Sequence, residues 1–206
     1  MPKQRAFTLI ELLIVVAIIA ILAAIAVPNF LEAQVRAKTS RCKADMRTCV
    51  TALETYRIDN NRYPPMGDTT GGDPQAAGFH ARLSNYITTP IAYMTSMVFD
   101  PFVEKNNTFT NTVYPDSTQV GKRYAYYNVP GIILVNGSDV WNKLEDWVGL
   151  WMIYGYGPDK SPFQGAAGTL MPYDPTNGTV SAGNLVRCQK NTDGTPVHPR
   201  TNTYNW

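Results

Sequence analysis

Charge is scarce in this chain. Only 17% of its 206 residues are charged, and the formal net charge is +2. That is too little for the basic footprint of a nucleic-acid binder, and too little for a disordered polyelectrolyte. Histidine is limited to His80 and His198, and cysteine to Cys42, Cys49 and Cys188. No Cys-x-x-Cys occurs, so the usual zinc ligand spacing is missing. Gly-x-Ser-x-Gly and the phosphate-binding loop are absent, and Gly155-Tyr156-Gly157 lacks the later glycine of a dinucleotide loop. There is no internal repeat. These gaps argue against the common hydrolase, nucleotide and metal chemistries and against nucleic acid as a partner.

What the chain does have is a long apolar run near its start. From Phe7 to Val27 only Thr8 and Glu11 are polar. At about 1.5 Å per residue this stretch spans roughly 31 Å as a helix, close to the bilayer core of about 30 Å. A carboxylate near the centre of such a span costs about 2.5–3.5 kcal/mol, and less towards its edge. Glu11 therefore calls for a partner. Lys3 and Arg5 precede the run, as in a signal sequence, but no small-residue cleavage site follows it. Any cut must fall before the apolar core, which then stays as an anchor. The basic head inside places the rest of the chain outside the cytoplasm. Without residues 1–6, the chain keeps 16 basic and 16 acidic side chains and is formally neutral, which suits packing against copies of itself.

After the run, Pro28 should kink the helix, because proline removes a backbone donor and crowds the preceding turn. Helical character then resumes to about Asn60. Leu31, Val35, Cys42, Met46, Cys49, Val50 and Leu53 fall within a stripe of about 100°. Arg36, Arg41, Lys43, Asp45, Arg47 and Glu54 lie outside it. Asn60-Asn61 and Tyr63-Pro64-Pro65 end the helix. Beyond Pro64 the chain turns to Gly, Pro, Asn, Thr and Tyr. Met66–Gly78 reads as a loop, and Phe79–Met94 as a short helical pattern broken at Pro90. Arg123–Val129, Ile132–Val135 and Trp147–Tyr156 read as strands, with Leu185–Cys188 as a short edge strand. Glu104–Gly121 and Asp159–Gly183 read as long loops. The fold class is α+β, with a long N-terminal helix packed on a small antiparallel sheet.

The cysteines leave two readings open. Cys42 and Cys49 are about 10 Å apart along one helix, too far for a bridge that needs a Cα separation of about 4.4–6.8 Å. Cys188 can pair with Cys42 or Cys49 in an oxidising compartment, or all three are buried thiols. The aromatics Tyr124, Tyr126, Tyr127, Trp147, Trp151, Tyr154 and Tyr156 read first as sheet core and surface, and second as a binding face.

The basic head, Ala6-Phe7-Thr8-Leu9-Ile10-Glu11, the apolar run and Pro28 together resemble the N-terminal segment of type IV pilins and of the pseudopilins of type II secretion. The resemblance implies a leader of residues 1–6 cut between Ala6 and Phe7 by prepilin peptidase, and N-methylation of Phe7. It also implies a transmembrane and filament-core helix at 7–27, an amphipathic half at 28–60 and an extracytoplasmic head at 61–206. One departure is Ala6, where the family usually has Gly. Thr89-Pro90-Ile91-Ala92-Tyr93-Met94, Asp100-Pro101-Phe102 and Tyr154-Gly155-Tyr156-Gly157-Pro158-Asp159 are similar in order to major pseudopilins. Those carry a calcium site, which the resemblance would place at Asp159 and Asp174, helped by loop carbonyls and Asn177. The plainer reading of both is a turn residue beside proline. Lys160 departs from the glycine usual after the Pro-Asp pair. No cofactor is otherwise required.

The implied role is a structural filament subunit and not an enzyme. After cleavage, Glu11 of one copy faces the Phe7 amine of another. The implied partners are further copies, prepilin peptidase, an inner-membrane assembly platform and minor pilins or pseudopilins. The implied place is the bacterial inner membrane, single-pass, and then a periplasmic or cell-surface filament. An adhesive or motility pilus subunit is the alternative within the family. A membrane-anchored enzyme or binding protein is the alternative outside it.

Overall fold

The computed structural model describes residues 7–66, 82–103, 121–136, 145–146, 148–160, 173 and 183–190. Helix α1 runs over Leu9–Asn60, and Pro28 lies inside it without ending it. The remaining elements are a 3-10 turn at Asn85–Ile87, strand β1 at Ala125–Asn128, helix α2 at Val129–Asn136, β2 at Trp151–Gly155 and β3 at Leu185–Cys188. The strands form an antiparallel sheet in the order β1-β2-β3. The expected α+β class, a long helix on a small antiparallel sheet, is borne out.

The chain divides into two compact units, one ending at Ala37 and one beginning at Lys38. In the first unit, every described residue from Phe7 to Leu31 is exposed. In the second, α1 buries Thr39, Cys42, Met46, Cys49, Ala52, Leu53 and Tyr56. This is the expected stripe from Cys42 onward, with Val50 half-buried at its margin. Its heptad-like spacing turns one side of the helix to the sheet and leaves Arg41, Lys43 and Arg47 in water.

The register shows which side of the sheet faces α1. The Trp151 indole Nε1 donates to Glu54 Oε1 on α1 at 2.7 Å. Side chains alternate along a strand, so Trp151 and Ile153 face the helix while Met152 and Tyr154 face away. Tyr126 pairs with Ile153 and lies on the helix side. Cys188 pairs with Met152 and lies on the other side. That placement accounts for the absent bridge. Cys42 and Cys49 belong to α1, Cys188 points away from it, and all three are free buried thiols. Of the two readings, the structure has the three buried thiols and not the bridge from Cys188 to Cys42 or Cys49.

Two further expectations are corrected. Ile132–Val135 is helix and not strand. Asn128 Oδ1 accepts from Gly131 N at 3.2 Å and caps α2, and Pro130 falls in the first turn, where its missing donor costs nothing. In the described part of Phe79–Met94, the helical pattern yields only the turn at Asn85–Ile87. There the Thr88 and Thr89 hydroxyls both donate to the Asn85 carbonyl, at 3.0 and 3.3 Å, alongside their own N–H groups. Such side-chain bonding competes with continued helix. Strands β1 and β2 begin and end closer in than their apolar patterns, while β3 has the expected bounds. Arg123 forms an isolated bridge with Phe99 outside β1.

Candidate assembly segment and its supports

Helix α1 opens on a reciprocal cap. Thr8 O accepts the first helical bond from Leu12 N at 3.3 Å, which makes Thr8 the N-cap. Thr8 Oγ1 accepts from Glu11 N at 3.3 Å, while Glu11 Oε2 accepts from Thr8 N at 2.8 Å and from the Thr8 hydroxyl at 2.7 Å. This is a capping box. It satisfies amide donors that a helix start otherwise leaves open. A carboxylate in the first turn also suits the positive end of the helix dipole. Glu11 is therefore held by its own chain. The sequence signal for this is Thr-x-x-Glu ahead of an apolar run. Glu11 Oε1 takes no hydrogen bond among the described residues.

Beyond the cap, Leu9, Ile10, Leu12, Leu13, Ile14, Val15, Val16, Ile18, Ile19, Ile21, Leu22, Ile25 and Val27 are all exposed. By length and composition the helix can cross a membrane, and none of its most apolar window is buried. Contiguous apolar surface on this scale marks a lipid or protein interface. Phe7 is likewise exposed. Ala6 lies outside the described residues.

Two carboxylates anchor the second unit, and neither stood out by spacing. Glu54 Oε1 accepts from Trp151 Nε1 and, at 2.9 Å, from the Tyr63 hydroxyl. Burial, followed by the Glu54 charge, pushes the Tyr63 phenol up to about 12. Asp100 is 4% exposed. Its Oδ1 accepts from Phe102 N at 2.9 Å and its Oδ2 from Tyr156 N at 2.6 Å. The Cys42 thiol makes a long contact of 3.9 Å to Oδ1. Burial pushes the Asp100 carboxyl up to about 6, against the pull of the two amides and of Arg82. Gly155 is required beside it, because a Cβ there would lie 2.9 Å from Asp100 Oδ2 and 2.9 Å from the Tyr124 ring.

The aromatic residues belong to the core. Tyr124, Tyr126, Tyr127, Trp151, Tyr154 and Tyr156 are buried, and the Trp147 side chain lies outside the described residues. Burial pushes the Cys42 and Cys49 thiols up to about 12, so neither is a nucleophile at neutral pH. Asp159 sits in the turn after β2, where Lys160 N bonds Gly157 O at 2.9 Å. Lys160 adopts φ 58°, the left-handed conformation that glycine reaches most easily. Asp174 and Asn177 lie outside the described residues. Among those described, no three His, Cys, Asp or Glu side chains group as metal ligands.

Comparison with known proteins places the resemblance on the N-terminal part. Residues 1–27 match the prokaryotic N-terminal methylation motif. The chain is 46% identical over 74 residues to the type IV major pilin protein PilA of Myxococcus xanthus, covering 36% of this chain and 34% of that one. It is 52% identical over 63 residues to the type IV wide pilus major component PilA4 of Thermus thermophilus, covering 31% and 48%. It is 39% identical over 62 residues to the type II secretion system core protein G of Pectobacterium carotovorum, covering 30% and 40%. The chain thus spans a third to a half of the length of these relatives. No solved structure matches. The methylation motif and these identities make the N-terminal part of the chain similar to type IV pilins and to type II secretion core protein G.

Proposed function

We propose that this chain is a structural, non-enzymatic subunit of a helical filament. In this reading it is cut before Phe7 by prepilin peptidase and assembled from the bacterial inner membrane by a platform, with minor subunits at hand. The observation that carries the reading is the N-terminal helix, capped by Thr8 and Glu11 and exposed along its apolar length. In the membrane that surface meets lipid, and the head lies outside the cytoplasm. In the filament the same surface meets other copies, and a heterologous contact that does not close extends into a helix. Apolar packing supplies the affinity.

Cleavage supplies the missing charge. The new Phe7 amine of one copy meets Glu11 of a neighbour at Oε1, while Oε2 keeps its bonds to Thr8. A buried ion pair roughly breaks even against apolar packing, but stripping one partner costs about 3–5 kcal/mol. The pair therefore sets register more than it adds affinity. Pro28 provides the bend that fits the helix into the bundle. N-terminal mass spectrometry of the mature protein tests the processing step. A methylated start at Phe7 is expected, and a start at Met1 or beyond Val27 would contradict it.

The order Gly157-Pro158-Asp159 after β2 favours a type II secretion pseudopilus. The identities to two type IV pilins favour an adhesion or motility pilus as the second reading. Neighbouring genes separate them: a secretin with secretion components for the first, a retraction motor for the second. Calcium at Asp159 and Asp174 belongs to the pseudopilus reading. If it binds, it raises the thermal midpoint of the wild type and not that of Asp159→Ala.

A further inference from the structure

Among the described residues, Lys43, Arg47 and Arg187 of the second unit are cations with no ion pair. Lys43 and Arg47 are exposed and one turn apart on α1, a spacing at which like charges repel. Arg187 approaches Arg47 from β3. It pairs with Ile153, so its side chain lies on the sheet face turned towards α1. Arg47 lies near enough to add to burial in lowering the Arg187 pKa. Arg187 Nε is buried with no hydrogen-bond partner. The ion pairs among the described residues are Arg36–Glu32, Arg41–Asp45 and Arg57–Glu54, and none involves these three cations.

Such a cluster lowers the stability of the lone subunit. A partner bearing carboxylates would turn that cost into affinity. We propose that Lys43, Arg47 and Arg187 form a contact that receives carboxylates of a second copy of this chain. The inference rests on the filament reading. Charge balance points to a copy as the occupant. From Phe7 onward the chain carries 16 basic and 16 acidic side chains, so a local surplus of one sign leaves the other sign elsewhere on the same molecule. Glu145 and Asp146 are adjacent carboxylates of the right kind. Lys190 Nζ bonds their backbone carbonyls at 3.1 and 2.6 Å and leaves the carboxylates to others.

The test uses the full chain assembled into filaments from membranes, comparing wild type with Arg47→Glu, Arg47→Lys and Arg187→Met. Filament yield and the salt concentration that halves it are read, together with the thermal midpoint of the unassembled subunit in detergent. Arg47→Glu is expected to cut yield by roughly tenfold or more. Arg47→Lys should restore most of it. Arg187→Met should lower both the yield and the halving salt concentration. In all three variants the subunit midpoint stays level or rises. Wild-type yield from Arg47→Glu, or a midpoint that falls along with yield, overturns the proposal and leaves the filament reading standing. A wild-type chain that is processed but forms no filaments removes the filament reading, and this inference with it. Partial recovery on adding Glu145→Lys and Asp146→Lys to Arg47→Glu identifies those carboxylates as the receiving pair. No recovery moves the receiving acids elsewhere on the copy and overturns that part.

Discussion

Replacing Asp100 by Asn should change how the stability of the head depends on pH. Asp100 is enclosed between Cys42 on α1, the Phe102 amide and the Tyr156 amide. Its carboxyl is pushed up to about 6 in the folded chain, from an ordinary value of 3.8. Between those values the folded state binds more protons than the unfolded state, so raising the pH costs stability. The contribution is complete below the unfolded pKa and gone above the folded one. Integrated over the gap, Asp100 favours folding by about 2 kcal/mol at about pH 4 and about 1 kcal/mol at about pH 5, relative to neutral pH. Asp100→Asn removes that slope. It also turns one amide NH₂ against an N–H donor, costing about 2–3 kcal/mol at neutral pH. Denaturant unfolding of the full chain in detergent, followed by fluorescence of buried Trp151, measures both effects. The wild type should gain more on acidification than the variant, by the amounts above. Equal slopes would show that Asp100 does not titrate in this window. A wild type that loses more than the variant would show that the two amide bonds outweigh burial, and the reasoning would fail.

Other perturbations follow from the same contacts. Glu54→Ala strands the Trp151 indole and the Tyr63 hydroxyl and should cost about 2–4 kcal/mol in denaturant unfolding. Glu54→Gln should bring the Tyr63 phenol, now pushed up to about 12, back towards its ordinary range in an ultraviolet titration. The three thiols should resist a disulfide reagent in the folded chain and react together after denaturation; rapid labelling of native protein would contradict their burial. Thr8→Ala should weaken the start of α1 by about 1 kcal/mol, measurable as loss of helical signal in micelles. Glu11→Leu should leave membrane insertion intact and reduce filaments sharply in micrographs, and abundant normal filaments would remove its assembly role.

Much of this molecule is readable from local pattern, and the exceptions have causes. The second half of α1 was legible because its apolar residues repeat at helical spacing against a single sheet. Leu31 and Val35 broke that pattern: Leu31 is exposed and Val35 half-buried, and both lie in the first unit. Ile132–Val135 is ambiguous in the sequence because a short apolar run suits both strand and helix. The deciding signal was local, an Asn cap with Pro130 in the first turn. Thr8 is equally legible, since a capping box needs only four residues. Glu54 and Asp100 were not legible as anchors. Their partners Trp151 and Tyr156 are far away in sequence, and only the folded register brings them within bonding distance. The cysteine question was settled by strand alternation, which spacing along α1 could not supply.

The central claim is that Glu11 serves two partners, Thr8 within its own chain and the Phe7 amine of another copy. An electron cryomicroscopy map of filaments of the mature chain tests it most directly. The account predicts a methylated Phe7 amine within about 4 Å of a neighbour's Glu11 carboxylate, with Thr8 still capping the same helix. Filaments in which that amine faces solvent, or in which Glu11 meets only its own Thr8, would contradict it.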